Sequence, residues 1–413
     1  MRLGIVRTPG EPAPGTGRVA APGLDWARLG DTLVYWTGDD DLWASARGRA
    51  REAGVTVEEL PAPAAPRDLH LVTQVGRVFQ QEHPDVRVLV DKGRYLVAAI
   101  DAERLSGITP REEVCYRVEP LPTGEVVFGA APAVARTPVA EIQRLVDEVS
   151  AEGFGSLLGE LVGFGTRHSL SPGFRAAATM AADLLTQHGY IVRTDPVTVG
   201  SGQSGNVVAE RVVPSRAFRD VVLLTAHLDS VNLSGGPSAP APGADDNGSG
   251  AAGLLEIARV LAGLDARHDI RVILFGGEEQ GLFGSTQYVA GLSPRERHRV
   301  RAVVNMDMIA TLNTAVPTVL LEGAEVSKGL IDDLAAAAGT YTGLAVQTSL
   351  RPFNSDHVPF IDASIPAVLT IEGADSANEH VHTEGDTLDH IDHALALGIL
   401  RMNVATLAAA AGV

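Results

Sequence analysis

The sequence predicts an α/β protein in which a mostly parallel, mixed central sheet carries helices on both faces and follows a small α+β domain. Three observations predict it. Short apolar runs of strand length recur at Val221 to Ala226, Ile270 to Phe275, Val303 to Met306 and Ala367 to Ile371, as expected of strands buried on both faces. Helical segments alternate with them, at Gly250 to Leu264, Val326 to Ala338 and Leu388 to Ala410. Acids and a histidine fall where these runs end: His227-Leu228-Asp229 after the first run, Glu278-Glu279 after the second, and Asp245-Asp246 at the start of the helical segment between them.

Taken in order, residues 1–24 are rich in Pro, Gly and Ala and read as a flexible tail. Residues 25–137 read as an α+β accessory domain. Its strands are expected at Thr32 to Trp36, Val55 to Leu60, Leu69 to Val75, Val86 to Val90 and Tyr95 to Ile100, with helices at Asp41 to Ala53 and Val78 to Glu82. The acid run Asp39-Asp40-Asp41 suits the N-terminus of the first of these helices. Residues 138–413 read as the catalytic domain. A helical stretch runs from Pro138 to about Val162, and Ser171-Pro172 then caps and opens a helix whose Phe174, Ala177, Ala181 and Leu184 share one face. Further strands are expected at Tyr190 to Val192, Val207 to Val212 and Val319 to Leu321.

Composition excludes several classes. A chain of 413 residues suggests two domains, and a net charge of −18 argues against a nucleic-acid or anionic-membrane partner. Cys115 is the lone cysteine, so no intrachain disulfide is expected. The first residues lack the apolar core of a signal peptide, and no apolar run approaches membrane-spanning length. The expected location is therefore cytoplasmic by default, with secretion open if a signal has been removed. The glycines at Gly248-Ser249-Gly250-Ala251-Ala252-Gly253 fit a dinucleotide pattern but follow a loop instead of a strand. Neither GxSxG nor HExxH occurs.

Three polar clusters therefore meet at the carboxyl edge of a sheet, where α/β proteins bind ligands. Carboxylates and imidazole crowded together need a positive partner, and a pair of zinc ions about 3.5–4 Å apart, bridged by a carboxylate, supplies it.

The motifs HLDS at His227, GADDNGSG at Gly243, GGEEQGLFGS at Gly276, NMDMI at Asn305, SDHVPF at Ser355 and HTEGDT at His382 resemble those of the di-zinc aminopeptidases. That family includes the bacterial leucine aminopeptidases, with glutamate carboxypeptidase and glutaminyl cyclase as relatives. The motifs stand in family order over about the last two-thirds of the chain. The resemblance implies that Asp246 bridges two zinc ions, that Glu279 and His382 complete one site, that His227 and Asp307 complete the other, and that Glu278 is the general base. Three acidic ligands leave one positive charge on two Zn²⁺, which a bridging hydroxide neutralises. It also implies a cis peptide bond between Asp246 and Asn247. Asp229 and Asp386 read as acids that orient His227 and His382. His357 is expected near the substrate cleft, touching substrate or tying down its own loop.

The expected reaction is hydrolysis of the N-terminal bond of a peptide substrate. Val381 stands where some relatives place an oxyanion-stabilising tyrosine, so the oxyanion donor is unassigned. The competing readings are a carboxypeptidase or dipeptidase of the same fold, with Arg351 as its carboxylate anchor, a one-zinc glutaminyl cyclase, and an inactive metal-binding scaffold. Neither the oligomeric state nor side-chain specificity is legible.

Overall fold

A computed structural model of the chain describes residues 1–7, 23–108, 115–131, 134–213 and 219–413. It comprises two compact units. The first is Met1–Pro132 with Gln347–Ser349 and Ala374–Glu379, and the second is Ala133–Val346, Leu350–Gly373 and His380–Val413. The two short segments that join the first unit come from far along the chain, which no local pattern reveals.

The first unit holds β1 (Arg2–Arg7), β2 (Asp25–Leu29), β3 (Thr32–Thr37), α1 (Asp40–Glu52), β4 (Val57–Glu59), β5 (Leu69–Gln74), α2 (Val78–Glu82), β6 (Arg87–Lys92), β7 (Tyr95–Ala99), β8 (Tyr116–Pro120) and β9 (Glu125–Ala130). β1 corrects the expectation of a tail from residue 1. It pairs antiparallel with β3 and β4, and buries Leu3, Ile5 and Val6. The flanking Pro/Gly-rich composition hid a short strand whose pairing is long-range; the rest of that expected tail, residues 8–22, lies outside the described residues. Asp39 does cap α1, its carboxylate accepting from the N–H groups of Asp41 and Leu42.

The second unit is built on one sheet. Its strands are β10 (Ile191–Val199), β11 (Gly202–Arg211), β12 (Val221–His227), β13 (Asp269–Phe275), β14 (Val300–Met306), β15 (Thr318–Glu322) and β16 (Ala367–Glu372), in the spatial order β10-β11-β13-β12-β14-β16-β15. β13, β12, β14 and β16 are parallel, and the strands outside them antiparallel. Alternate side chains feed two cores. Val222, Leu224, Val272 and Leu274 join a large cluster, while Leu223, Ile273 and Phe275 join a second one.

Helices α3 (Ala140–Asp147), α4 (Ala151–Val162), α5 (Pro172–Gln187), α6 (Gly250–Leu261), α8 (Lys328–Tyr341) and α10 (His393–Ala410) contribute to the large cluster. Helices α7 (Phe283–Gly291) and α9 (Val358–Asp362) contribute to the second. The expected continuous helix from Pro138 to Val162 is broken, because the Ser150 hydroxyl accepts from Gly153 and starts α4 afresh. α10 is long and apolar enough to cross a membrane, against the expectation that no segment is. It packs instead against α3, α6 and α8, with Leu395, Ile399, Leu400 and Leu407 buried.

α5 buries Phe174, Ala177, Ala181 and Leu185, so the stripe ends on Leu185 and not Leu184. The buried Ser171 hydroxyl accepts from the Phe174 N–H at 3.0 Å, with Pro172 in the first turn. Ser171→Ala is expected to cost about 1 kcal/mol, read as a lower urea midpoint at unchanged slope.

Candidate metal centre

β12 is flanked by β13 on one side and β14 on the other, so successive connections leave it in opposite directions and open a crevice at the carboxyl ends. The side chains of interest emerge there. His227 ends β12, Asp307 follows β14, and Glu278 and Glu279 lie in the turn after β13. Asp246 lies in the irregular turn Ala244–Ser249 before α6, where the Asp246–Asn247 peptide is cis. His382 lies on the loop after β16, in the left-handed conformation with φ 59°.

Distances divide these groups into two sets that share one acid. His227 Nε2 is 3.3 Å from Asp246 Oδ1 and 3.2 Å from Asp307 Oδ1. His382 Nε2 is 3.1 Å from Asp246 Oδ2 and 2.9 Å from Glu279 Oε2. The two oxygens of Asp246 thus face two different imidazoles. Glu278 Oε2 stands 4.0 Å from His227 Nε2. The ligand atoms of His227, Glu278 and Asp307 lie within 4.8 Å of one another, as do those of His227, Asp246 and Glu279.

The donor set fits a pair of divalent cations. Among the described residues, neither Arg nor Lys stands at ion-pair distance from Asp246, Glu278, Glu279 or Asp307. Burial, reinforced by the Asp246 charge, pushes Glu279 up to about 7, and burial raises Glu278 well above the usual carboxylate range. Asp246 goes the other way: burial opposes ionisation, but hydrogen bonds from His227 and His382 outweigh it and hold the carboxyl low. Burial also disfavours charge on His227, yet the Asp307 and Glu278 carboxylates beside it raise its pKa well above the ordinary value. Two cations among these groups would offset the cost of burying their charges.

The supporting acids also reach the backbone. The Asp229 carboxylate is 3.7 Å from His227 Nδ1, whose near partner is the Asp229 backbone carbonyl at 3.1 Å. The Asp229 carboxylate accepts instead from the N–H groups of Glu278 and Glu279, both at 3.3 Å. Asp386 likewise accepts from the N–H groups of Asp245 and Asp246, both at 2.9 Å. Each acid therefore steers a neighbouring loop's backbone. Asn247 donates to the Met306 carbonyl at 3.0 Å and accepts from Gly250 N–H at 2.9 Å, tying its turn to the end of β14.

His357 does not line a cleft. It is fully buried, with Nε2 3.5 Å from the equally buried Glu322, whose carboxylate also accepts from the Phe353 N–H.

Sequence reading missed three features. Asp307 is aimed by a ladder: Thr225 donates to Asn305 at 2.7 Å, Asn305 to Ser355 at 2.9 Å, and Ser355 to Asp307 Oδ2 at 2.6 Å. Asp356 is buried near His227, Asp229 and Asp307, and burial pushes its carboxyl to about 7 against the attraction of His227. Its place beside Ser355 and His357 in one motif was the signal. Arg167 is fully buried and donates to the carbonyls of Leu228, Pro242 and Gly243 at 2.9, 2.6 and 2.8 Å, binding the loop after β12 to the loop before Asp246. Burial brings its pKa down to about 10, although Asp386 and Asp229 favour its charge.

Residues 206–407 match the profile of peptidase family M28. Aminopeptidase YwaD of Bacillus subtilis is 34% identical over 192 residues, which are 46% of this chain and 40% of that protein. The chain thus spans less than half the length of that relative. Among solved structures, BSAP, a zinc aminopeptidase from Bacillus subtilis, matches with a TM-score of 0.56 at 19% identity, over 62% of this chain and 94% of that one. A glutaminyl cyclase from Porphyromonas gingivalis matches with 0.52 at 23% identity, over 63% of this chain and 98% of that one. At these identities the structures show a common fold.

Proposed function

We infer that this chain, of which residues 206–407 match peptidase family M28, is a zinc-dependent aminopeptidase that holds two zinc ions and hydrolyses the first peptide bond of a peptide. The observation that carries the reading is Asp246, one oxygen of which stands 3.3 Å from His227 and the other 3.1 Å from His382. A carboxylate shared between two imidazoles, each with its own second acid, has the layout of a bridging ligand. His227, Asp307 and Asp246 would hold one ion, and His382, Glu279 and Asp246 the other.

Zinc bound there supplies a Lewis acid for the peptide carbonyl and a water that ionises near neutral pH. Glu278 is left over from the two ligand sets and stands within reach of the same space. Its role is to accept the proton of the attacking water and deliver it to the departing amine.

Metal analysis of the replete protein should return two zinc ions per chain. Aminoacyl substrates with a free amine should be cleaved, and their N-acetylated counterparts left intact. One ion with cyclisation of N-terminal glutamine would replace this reading with a cyclase, and release of carboxyl-terminal residues with a carboxypeptidase.

A further inference from the structure

Two of the loops that carry candidate ligands are tied to one side chain that is itself no ligand. Arg167 lies at 0% exposure. Its Nε donates to Leu228 O at 2.9 Å, Nη1 to Pro242 O at 2.6 Å and to Leu161 O at 3.2 Å, and Nη2 to Gly243 O at 2.8 Å. Leu228 follows His227, and its N–H donates to Phe275 O at 2.8 Å, so the chain just after His227 is held from two directions. Gly243 stands three residues before Asp246. Its carbonyl also accepts from Gly248 N–H at 2.9 Å, which closes the turn around Asp246. At Gly243 φ is 53°, and a Cβ there would come within 3.1 Å of Arg167 Nη2, so the loop lies directly on the guanidinium. A hydroxyl repeats the tie: Arg167 N–H donates to Ser230 Oγ at 3.1 Å, and Ser230 donates to Ala241 O at 2.8 Å.

Arg167 faces carbonyls and no carboxylate. Among the described residues no acid stands at ion-pair distance from it, and a buried cation without one is costly. Its charge also works against the cations that the centre would hold, since Asp386, Asp229, Asp246 and Glu279 all feel it. What the site gains is reach. A planar fork of donors can meet carbonyls from three stretches of chain at once, which a compact ammonium cannot.

We propose that Arg167, seconded by Ser230, sets the spacing of His227 and Asp246, and so fits the pair to the zinc ion they would share. Both are positioning residues, touching neither substrate nor metal. The proposal rests on the two-zinc reading and names what holds these two ligands 3.3 Å apart.

The test compares the full chain with Arg167→Lys, Arg167→Gln and Ser230→Ala. Zinc affinity is read by stepwise competition with a chelator, and amide exchange is followed through residues 228–232 and 241–249 of the zinc-free protein. Both Arg167 variants should bind at least one ion about 10- to 100-fold more weakly, with faster exchange in both loops. Arg167→Lys should lose at least as much as Arg167→Gln, because it gives up the fork and keeps the repulsion. Full affinity in Arg167→Lys, or tighter zinc in Arg167→Gln, would make Arg167 a charge and not a frame, and overturns the proposal. So does a folded Arg167 variant with a lower melting temperature and unchanged zinc affinity, as a merely structural residue would give. If neither Arg167 variant folds, Ser230→Ala decides: a loss of roughly fivefold, the worth of one hydrogen bond, upholds the proposal and no loss overturns it. A parent chain that binds one ion or none removes the two-zinc reading instead. The proposal then stands or falls on exchange in the variants, raised in both loops if it holds and unchanged if it does not.

Discussion

Glu278→Gln is expected to keep both zinc ions and a KM near the parent value while kcat falls by about 10²- to 10⁴-fold or more. The amide is close in shape to the carboxylate but cannot take a proton from water. The backbone of the turn does not depend on the side chain that is changed, since the N–H groups of Glu278 and Glu279 are both held by Asp229. Its neighbour should fail differently. Glu279 Oε2 is 2.9 Å from His382 Nε2, on the metal side of the cluster, so Glu279→Gln removes a charged ligand and should weaken one ion. Excess zinc should restore part of its activity and none of that of Glu278→Gln. Metal titration beside steady-state kinetics on both variants checks this. A metal-depleted Glu278→Gln beside a metal-replete, inactive Glu279→Gln would reverse the two assignments.

Asp246→Ala should weaken both ions, each by more than about 100-fold, and leave no activity to rescue at micromolar zinc. Loss of a partner that merely orients a ligand costs about 10- to 100-fold in metal affinity. Loss of the acid that faces both imidazoles removes a direct ligand from each ion. The pH dependence of zinc binding to the parent protein has a definite sign. The Asp307 and Glu278 carboxylates outweigh burial and raise the pKa of His227 well above its usual value. An incoming zinc must therefore displace a proton from that ring, so affinity should fall as pH falls. Equilibrium competition at a series of pH values reads the slope in the parent, and at one pH it reads the loss of affinity in the variant.

The parallel core of the second unit was legible because strands buried on both faces announce themselves as unbroken apolar runs; Val221 to Ala226 lies inside β12, and Ile270 to Phe275 inside β13. The groups that meet at the centre were legible for a related reason, since polar residues at the ends of such runs have one crevice to enter. What those residues lean on was not. Asp229 and Asp386 accept from backbone N–H groups 49 and 50 residues away for Asp229 and 141 and 140 away for Asp386. Which N–H groups point where is decided by loops that carry no periodic signal. His357 was placed near a cleft because it lies in the SDHVPF motif, and the acid beside it, Glu322, ends a strand whose own sequence gives no hint of the meeting. Arg2–Arg7 was lost to the average composition of its surroundings, since six residues of strand weigh little beside the prolines that follow.

The five groups assigned to the two ions come from five separate places along the chain: the end of β12, the turn before α6, the turn after β13, the end of β14 and the loop after β16. An unfolded chain therefore offers no local chelating pair, and the affinity exists only after the parallel strands have found one another. Zinc bound there would act on the folding equilibrium by mass action: at a free concentration 100 times its dissociation constant, each ion would add up to about 2.7 kcal/mol to the native state. The newly made polypeptide must reach most of its native topology with those acids and imidazoles unmetallated. Burial raises the carboxyls of Glu278 and Glu279 in the folded chain, which lowers the repulsion among the acids while no ion is bound.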